Sequence, residues 1–254
     1  MKYIDGGVCS AKGFRAGGMN CGIKAGSTKK DLAMIVSDTM CSAAAVYTTN
    51  KVKGAPLAVT REHLINGTAQ AVICNSGNAN TCAPNGVEIA EKTCEITGSA
   101  LGLAAEDIIV CSTGVIGQEL SIKPFEYGVP KLAEKVSYDG GQEAAEAIMT
   151  TDTIPKSIAV EFEIDGKTCY IGGIAKGSGM IDPNMATMLS FITTDAAVSP
   201  EMLDKALKAD VKTSYNQICV DGDMSTNDTV AVLANGMAGK RARSLMFSAK
   251  RLRW

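Results

Sequence analysis

Residues 174–190 read Ile-Ala-Lys-Gly-Ser-Gly-Met-Ile-Asp-Pro-Asn-Met-Ala-Thr-Met-Leu-Ser. The glycines at 177 and 179 and Pro183 predict a constrained loop over residues 176–186, and residues 188–194 then read as a strand. Thr187 stands at the entrance of that strand. Two glycines beside Lys176 suggest a phosphate cradle, but the Walker spacing is absent. By residue type alone, a threonine at a strand start is a good β-former and no more.

Just upstream, Ile158, Val160, Phe162 and Ile164 alternate with polar or small residues, and Asp165-Gly166 supplies a turn before 168–171 returns. Further towards the N-terminus, residues 32–36, 43–47, 71–74 and 108–111 read as strands. Residues 86–101 read as a helix with Val87, Ala90, Cys94 and Thr97 on its apolar face. Downstream, Ser199-Pro200-Glu201 marks a helix start, with serine as cap and proline in the first turn. Leu203, Leu207 and Val211 give that helix its buried stripe, and 230–233 reads as one more strand. Strands alternating with helices predict a mixed α/β class.

Composition narrows the chemistry. Apolar residues make up 46% of 254, enough for a sizeable core, and 26 glycines imply many tight turns. The nine cysteines are odd in number and include no Cys-x-x-Cys pair, so they read as small buried hydrophobes in a reducing compartment. The start lacks a signal peptide's basic end and apolar stretch, and no apolar run approaches the ~20 residues of a membrane span. A cytoplasmic protein is expected. With His63 as the lone histidine, set in a charged stretch that reads as an exposed helix, multi-histidine zinc sites are excluded. An acyl-transfer enzyme built on this chain needs a base other than imidazole. Residues 240–254 carry six basic and no acidic residues, unlike everything before them. Such a tail invites a nucleic-acid or membrane-surface reading; the expectation is of neither partner. No repeat or linker marks a domain boundary, and the one compositional break lies near Lys240.

Residues 176–189 closely resemble the autocleavage motif of the ornithine acetyltransferases, in which the precursor breaks between the matching alanine and threonine, here Ala186 and Thr187. Four more stretches match in order. Asn75-Ser76-Gly77-Asn78-Ala79-Asn80 resembles a family loop, and Cys111-Ser112-Thr113-Gly114-Val115-Ile116-Gly117 its oxyanion-hole segment. Met149-Thr150-Thr151-Asp152-Thr153 resembles its substrate-side segment, and residues 221–229 a further signature. The resemblance covers residues 1 to about 239.

The resemblance implies a layered α-β-β-α sandwich of the self-cleaving aminopeptidase and ornithine acetyltransferase type, lacking the family's C-terminal part. Residues 1–239 form the enzyme-like region; self-cleavage gives chains 1–186 and 187–254 that stay associated, in the family as a heterotetramer. The tail 240–254 reads as a truncated or out-of-frame end. Thr187 becomes the nucleophile, and its new α-amine, with a reference pKa near ~7.7–8.0, serves as base. The Thr113 hydroxyl and Gly114 N–H form the oxyanion hole. Lys176 and either Thr150 or Thr151 hold the substrate, a choice the sequence leaves open. The implied cycle moves acetyl from N2-acetylornithine to glutamate in arginine biosynthesis, without a metal or tightly held cofactor. Some members also accept acetyl-CoA as donor. A related hydrolase of the N-terminal-nucleophile aminopeptidase type and a non-catalytic fragment are the alternative readings.

Overall fold

A computed structural model describes residues 1–182 and 188–239. In chain order these hold β1 (Lys2–Ile4), β2 (Phe14–Met19), β3 (Leu32–Tyr47), α1 (Ala55–His63), β4 (Thr68–Asn75), α2 (Gly86–Leu101) and β5 (Ile108–Ser112). Two helices follow, α3 (Lys123–Ala133) and α4 (Gly141–Ala147), then β6 (Lys156–Ile164) and β7 (Lys167–Lys176). After the cleavage-motif segment come β8 (Leu189–Thr194), α5 (Pro200–Asp210) and β9 (Thr229–Ala234).

Local chemistry explains several boundaries. Asp165 and Gly166 both take positive φ, +49° and +74°, the backbone of a two-residue hairpin turn between Ile164 and Lys167. The Ser199 hydroxyl caps α5 by accepting the Met202 N–H, and Pro200 occupies the first turn. Leu203, Leu207 and Val211 are buried as expected. On α2 the apolar stripe is rotated from the expected one. Ala90, Cys94 and Thr97 are buried with Ile89 and Thr93, while Val87 points outward at 46% exposure.

The nine described strands join one mixed sheet in the order β1-β6-β7-β8-β9-β3-β4-β5, with β2 paired on β3. Layers nevertheless form, because β3 belongs to two of them. Residues 32–36 and 43–47, expected as separate strands, are halves of this one 16-residue strand, with a register shift between Val36 and Cys41. The first half pairs with β2 and β4, the second with β9. Side chains alternate accordingly. Ala33, Ile35, Cys41 and Ala43 enter a central core shared with Val72, Ile109, Phe191 and Leu233. Leu32, Met34 and Val36 face outward to a core under α1, α2 and α3, and Ala44 to one under α5. The result is the expected α-β-β-α sandwich, its two β layers hydrogen-bonded through a common strand.

Two β-α-β units, β4-α2-β5 and β8-α5-β9, supply the parallel pairs. Six of the nine free cysteines are buried, while Cys9 is half-buried and Cys82 and Cys219 are exposed. His63 is only half-buried, and its Nδ1 meets the Ile108 carbonyl at 2.8 Å, so it closes a helix-to-strand contact. Among the described residues no helix is long and apolar enough to cross a membrane.

Candidate active site

The neighbouring parallel strands β4 and β5 end side by side, and the crevice beyond such carboxyl ends is where α/β sheets bind ligands. Asn75, buried at the end of β4, shapes the first loop. Its Oδ1 accepts the N–H groups of Gly77 (3.1 Å) and Asn78 (3.0 Å), and its Nδ2 donates to Ser112 Oγ at 2.8 Å. The Thr113 N–H donates to the Asn75 carbonyl at 2.9 Å, which locks the β5 loop to the β4 loop. Gly114 then passes so close that a Cβ there would lie 2.5 Å from the Gly77 carbonyl carbon, and its φ is +126°.

These loops form one wall of a cavity of about 590 Å³. Thr113, Gly114, Thr150, Thr151 and Lys176, which lie in three separate stretches of sequence, all line it. Among the described residues neither the Thr113 hydroxyl nor the Gly114 N–H is committed to a hydrogen bond. Two such donors at a cavity wall suit an oxygen that gains negative charge. Ala186 and Thr187 lie outside the described residues, but both flanks of their segment are held by the stretch 221–228. Asp221 accepts the Met180 N–H at 2.6 Å and the Ile181 N–H at 2.8 Å, and Asp228 accepts the Met188 N–H at 2.9 Å. Met180 also lines the cavity.

Lys176 is 2% exposed, and among the described residues it forms no ion pair. Burial lowers its pKa, against the raising fields of Asp152 and Asp228. Its Nζ reaches the Thr150 hydroxyl at 3.4 Å, whereas Thr151 shares a 2.6 Å hydrogen bond with Ser178 and is exposed. Thr150 is thus the threonine beside the cation. A buried, unpaired ammonium in a cavity is a seat for a carboxylate.

Two further residues build the site without having been singled out by sequence. Asn227 stitches three loops: its Nδ2 donates to the carbonyls of Ala79 (2.6 Å) and Ser112 (3.0 Å), and its Oδ1 accepts from Thr81 (2.7 Å) and Thr226 (2.5 Å). Asp152 ties the threonine segment to the strand that carries Lys176. It accepts the N–H groups of Thr150 (3.2 Å) and Gly177 (2.8 Å) and pairs with Lys156 at 2.5 Å. Both residues lie within stretches already noted, but their partners are remote in sequence.

Burial alone raises the Asp152 pKa, but the Lys156 bond and the two N–H donors outweigh it, and the net shift is downward. A depressed carboxylate pKa stabilises the fold above the ordinary carboxylate range and stops doing so as pH falls through the lowered value. Asp152→Asn should therefore cost about 1–3 kcal/mol at pH 7. The deficit should shrink on acidification below the carboxylate range. Urea unfolding of both proteins from pH 7 to pH 3 measures this; a deficit unchanged with pH would show that the charge is irrelevant.

Comparison with known proteins places the chain in a family. Residues 15–252 match the ArgJ family. The "Arginine biosynthesis bifunctional protein ArgJ" of Caldanaerobacter subterraneus is 49% identical over 243 residues, covering 95% of this chain and 60% of that protein. The protein of the same name from Symbiobacterium thermophilum is 51% identical over 241 residues, covering 94% and 60%. The chain thus spans about 60% of the length of these curated relatives. Among solved structures, ArgJ from Bacillus halodurans superposes with a TM-score of 0.67 at 41% identity, over 72% of this chain and 97% of that one. Ornithine acetyltransferase from Mycobacterium tuberculosis, solved with ornithine, gives 0.67 at 36% identity, over 74% and 99%. An L-aminopeptidase D-Ala-esterase/amidase from Ochrobactrum anthropi, described as a variant of the Ntn hydrolase fold, shares the fold at 14% identity (TM-score 0.54, 96% and 79% covered). This chain belongs to the ArgJ family.

Proposed function

We propose that the protein cuts itself between Ala186 and Thr187 and then carries acetyl groups from N2-acetylornithine to glutamate through an acetyl-threonine. The observation that carries this reading is the pair of uncommitted donors, Thr113 and Gly114, in one cavity with the buried Lys176 and Thr150. In the first half-reaction Thr187 Oγ attacks the acetyl carbonyl and its proton passes to the Thr187 α-amine. The oxyanion sits between the Thr113 hydroxyl and the Gly114 N–H. The C–N bond breaks, the proton leaves on the amine of ornithine, and an acetyl ester remains. The neutral glutamate amine then attacks that ester, the acyl C–O bond breaks, a proton from the amine passes through the Thr187 α-amine to Thr187 Oγ, and N-acetylglutamate departs. Lys176 holds a substrate carboxylate, and Thr150 bonds the amino-acid portion.

The relatives' names supply the substrate class: arginine biosynthesis for the curated proteins, ornithine for the solved transferase. The two chains remain associated because β8 and β9, which follow the cut, lie between β7 and β3, which precede it. A heterotetramer of the two chains, working in the cytoplasm, completes the reading. The folded protein should give two masses, for residues 1–186 and 187–254, while migrating as one species in native sizing. Incubation with acetylornithine and glutamate should yield N-acetylglutamate. Acetate alone would instead favour the hydrolase alternative, and an uncut chain in folded protein would end the self-processing reading. Acetyl-CoA supplied in place of acetylornithine tests donor range.

A further inference from the structure

Lys24 is a second cation in the cavity, and the chemistry above makes no use of it. It lies on the loop between β2 and β3, which is pressed against the cavity wall. A Cβ on Gly77 would stand 2.5 Å from the Ile23 side chain and 2.9 Å from the Lys24 nitrogen. Asp31, fully buried, fixes this loop by accepting the N–H groups of Cys21 (2.7 Å) and Lys24 (2.9 Å). The half-buried Lys24 ammonium donates to two backbone carbonyls, Lys30 at 3.0 Å and Met149 at 2.8 Å. An ammonium has three hydrogens, so one is uncommitted among the described residues. No carboxylate forms an ion pair with it there. Asp31 and Asp152, whose fields reach it, are engaged by backbone N–H groups and by Lys156. Burial lowers its pKa, as at Lys176.

The two lysines stand close enough to share a ligand. Met149, whose carbonyl Lys24 holds, directly precedes Thr150, whose hydroxyl the Lys176 Nζ meets at 3.4 Å. These linked contacts put the two ammonium groups no more than roughly 11 Å apart. Both cations also act on one buried group, the Cys74 thiol. The carboxylate carbons of an extended glutamate stand about 5 Å apart, and charge-assisted bonds of about 2.8 Å at each end let it bridge such a gap.

We propose that Lys24 binds the side-chain carboxylate of the acceptor while Lys176 holds its α-carboxylate, so that the cavity selects a dicarboxylic amino acid. The inference rests on the function proposed above and deepens it by giving the second half-reaction its own specificity residue. Acetylornithine, with its α-carboxylate on the same Lys176, brings a side-chain ammonium to this region instead. Lys24 repels that ammonium. The charge that draws glutamate in therefore also helps ornithine out.

Lys24→Gln keeps N–H donors for the Lys30 and Met149 carbonyls but removes the charge. Calorimetric titration with glutamate, glutamine and ornithine tests it without requiring turnover. The unaltered protein should bind glutamate at least about 10-fold more tightly than glutamine. In the variant the glutamate Kd should rise roughly 10–100-fold, the glutamine Kd should hardly move, and the ornithine Kd should stay or fall. Lys24→Arg keeps the charge and should keep most of the glutamate preference. Equal weakening of all three ligands would mean that Lys24 only braces the loop, and would overturn the proposal, as would an unmoved glutamate Kd. If Lys24→Gln does not fold, labelling of lysine amines in the unaltered protein decides: glutamate should shield Lys24 and glutamine should not, and equal shielding overturns the proposal. Acetyl transfer to glutamate together with either negative result would leave the parent function standing. Acetate as the only product would end the transfer reading, while the binding pattern still decides the part of Lys24.

Discussion

The Thr187→Ala protein is expected to stay a single chain and to transfer no acetyl group. One side chain would be lost, but two functions depend on it. Under the proposed function its hydroxyl opens the peptide bond before it, and the residue freed by that break supplies both nucleophile and base. Loss of a nucleophile in a comparable serine enzyme costs on the order of 10⁶ in kcat. Here the loss of cleavage removes the free amine as well, so no residual turnover above background is expected. Thr187→Ser keeps a hydroxyl and should retain part of both activities. Thr113→Ala removes one of two oxyanion donors and should slow transfer by roughly 10²–10³ without abolishing it. Intact mass and N-acetylglutamate production measure all three. Cutting at the same bond in the alanine protein would remove Thr187 from the mechanism.

The second large effect is expected at Gly114. Its φ of +126° is a conformation L side chains rarely adopt, and an added Cβ would stand 2.5 Å from the Gly77 carbonyl carbon, 2.6 Å from its oxygen and 2.8 Å from the Asn78 nitrogen. All three are backbone atoms. That backbone cannot shift freely, because Asn75 Oδ1 holds the N–H groups of both Gly77 and Asn78. Gly114→Ala must therefore part the two loops, at a cost of about 2–5 kcal/mol from strain and overpacking. Turnover should fall by roughly 10² or more, because the donor at this position moves with its loop. Gly117→Ala is the control. Its φ is +78° but nothing lies within 4 Å of the added carbon, so only backbone strain of roughly 1–2 kcal/mol applies. Equal urea midpoints for the two variants would refute the steric argument.

What the sequence made legible follows from the range of the interactions. The β6–β7 hairpin and the start of α5 were readable because alternation, a turn dipeptide and a cap are all local signals. The unity of β3 was hidden by Ser37-Asp38-Thr39-Met40, where the register shifts and three residues in a row are exposed. Strand β2 is half hidden for another reason: Phe-Arg-Ala-Gly-Gly-Met has little period, and its glycines serve close packing, with the Glu143 carbonyl 2.2 Å from where a Cβ of Gly18 would sit. In α2 the spacing of Ala90, Cys94 and Thr97 was right, but Val87 fell on the wrong side of the stripe, which runs through Ile89 and Thr93. At the site, resemblance named Thr113, Gly114, Thr150, Thr151 and Lys176, and the fold gathers them round one cavity. Asn227 and Asp228 escaped notice because their value lies in remote partners, 148 residues away by sequence for Ala79 and 40 away for Met188. No local pattern carries that information.

If the chain cuts itself as proposed, the interleaving of β8 and β9 between β7 and β3 gives the molecule a history that it cannot repeat. Before the cut, the sheet assembles within one covalent chain, and its rate is independent of concentration. After the cut, unfolding releases two molecules, and rebuilding the same sheet requires the shorter one to find its slot between two strands of the longer. Refolding becomes second order, and each open sheet edge invites pairing with the wrong partner meanwhile. The mature protein would then persist by the slowness of its unfolding, and age in one direction only.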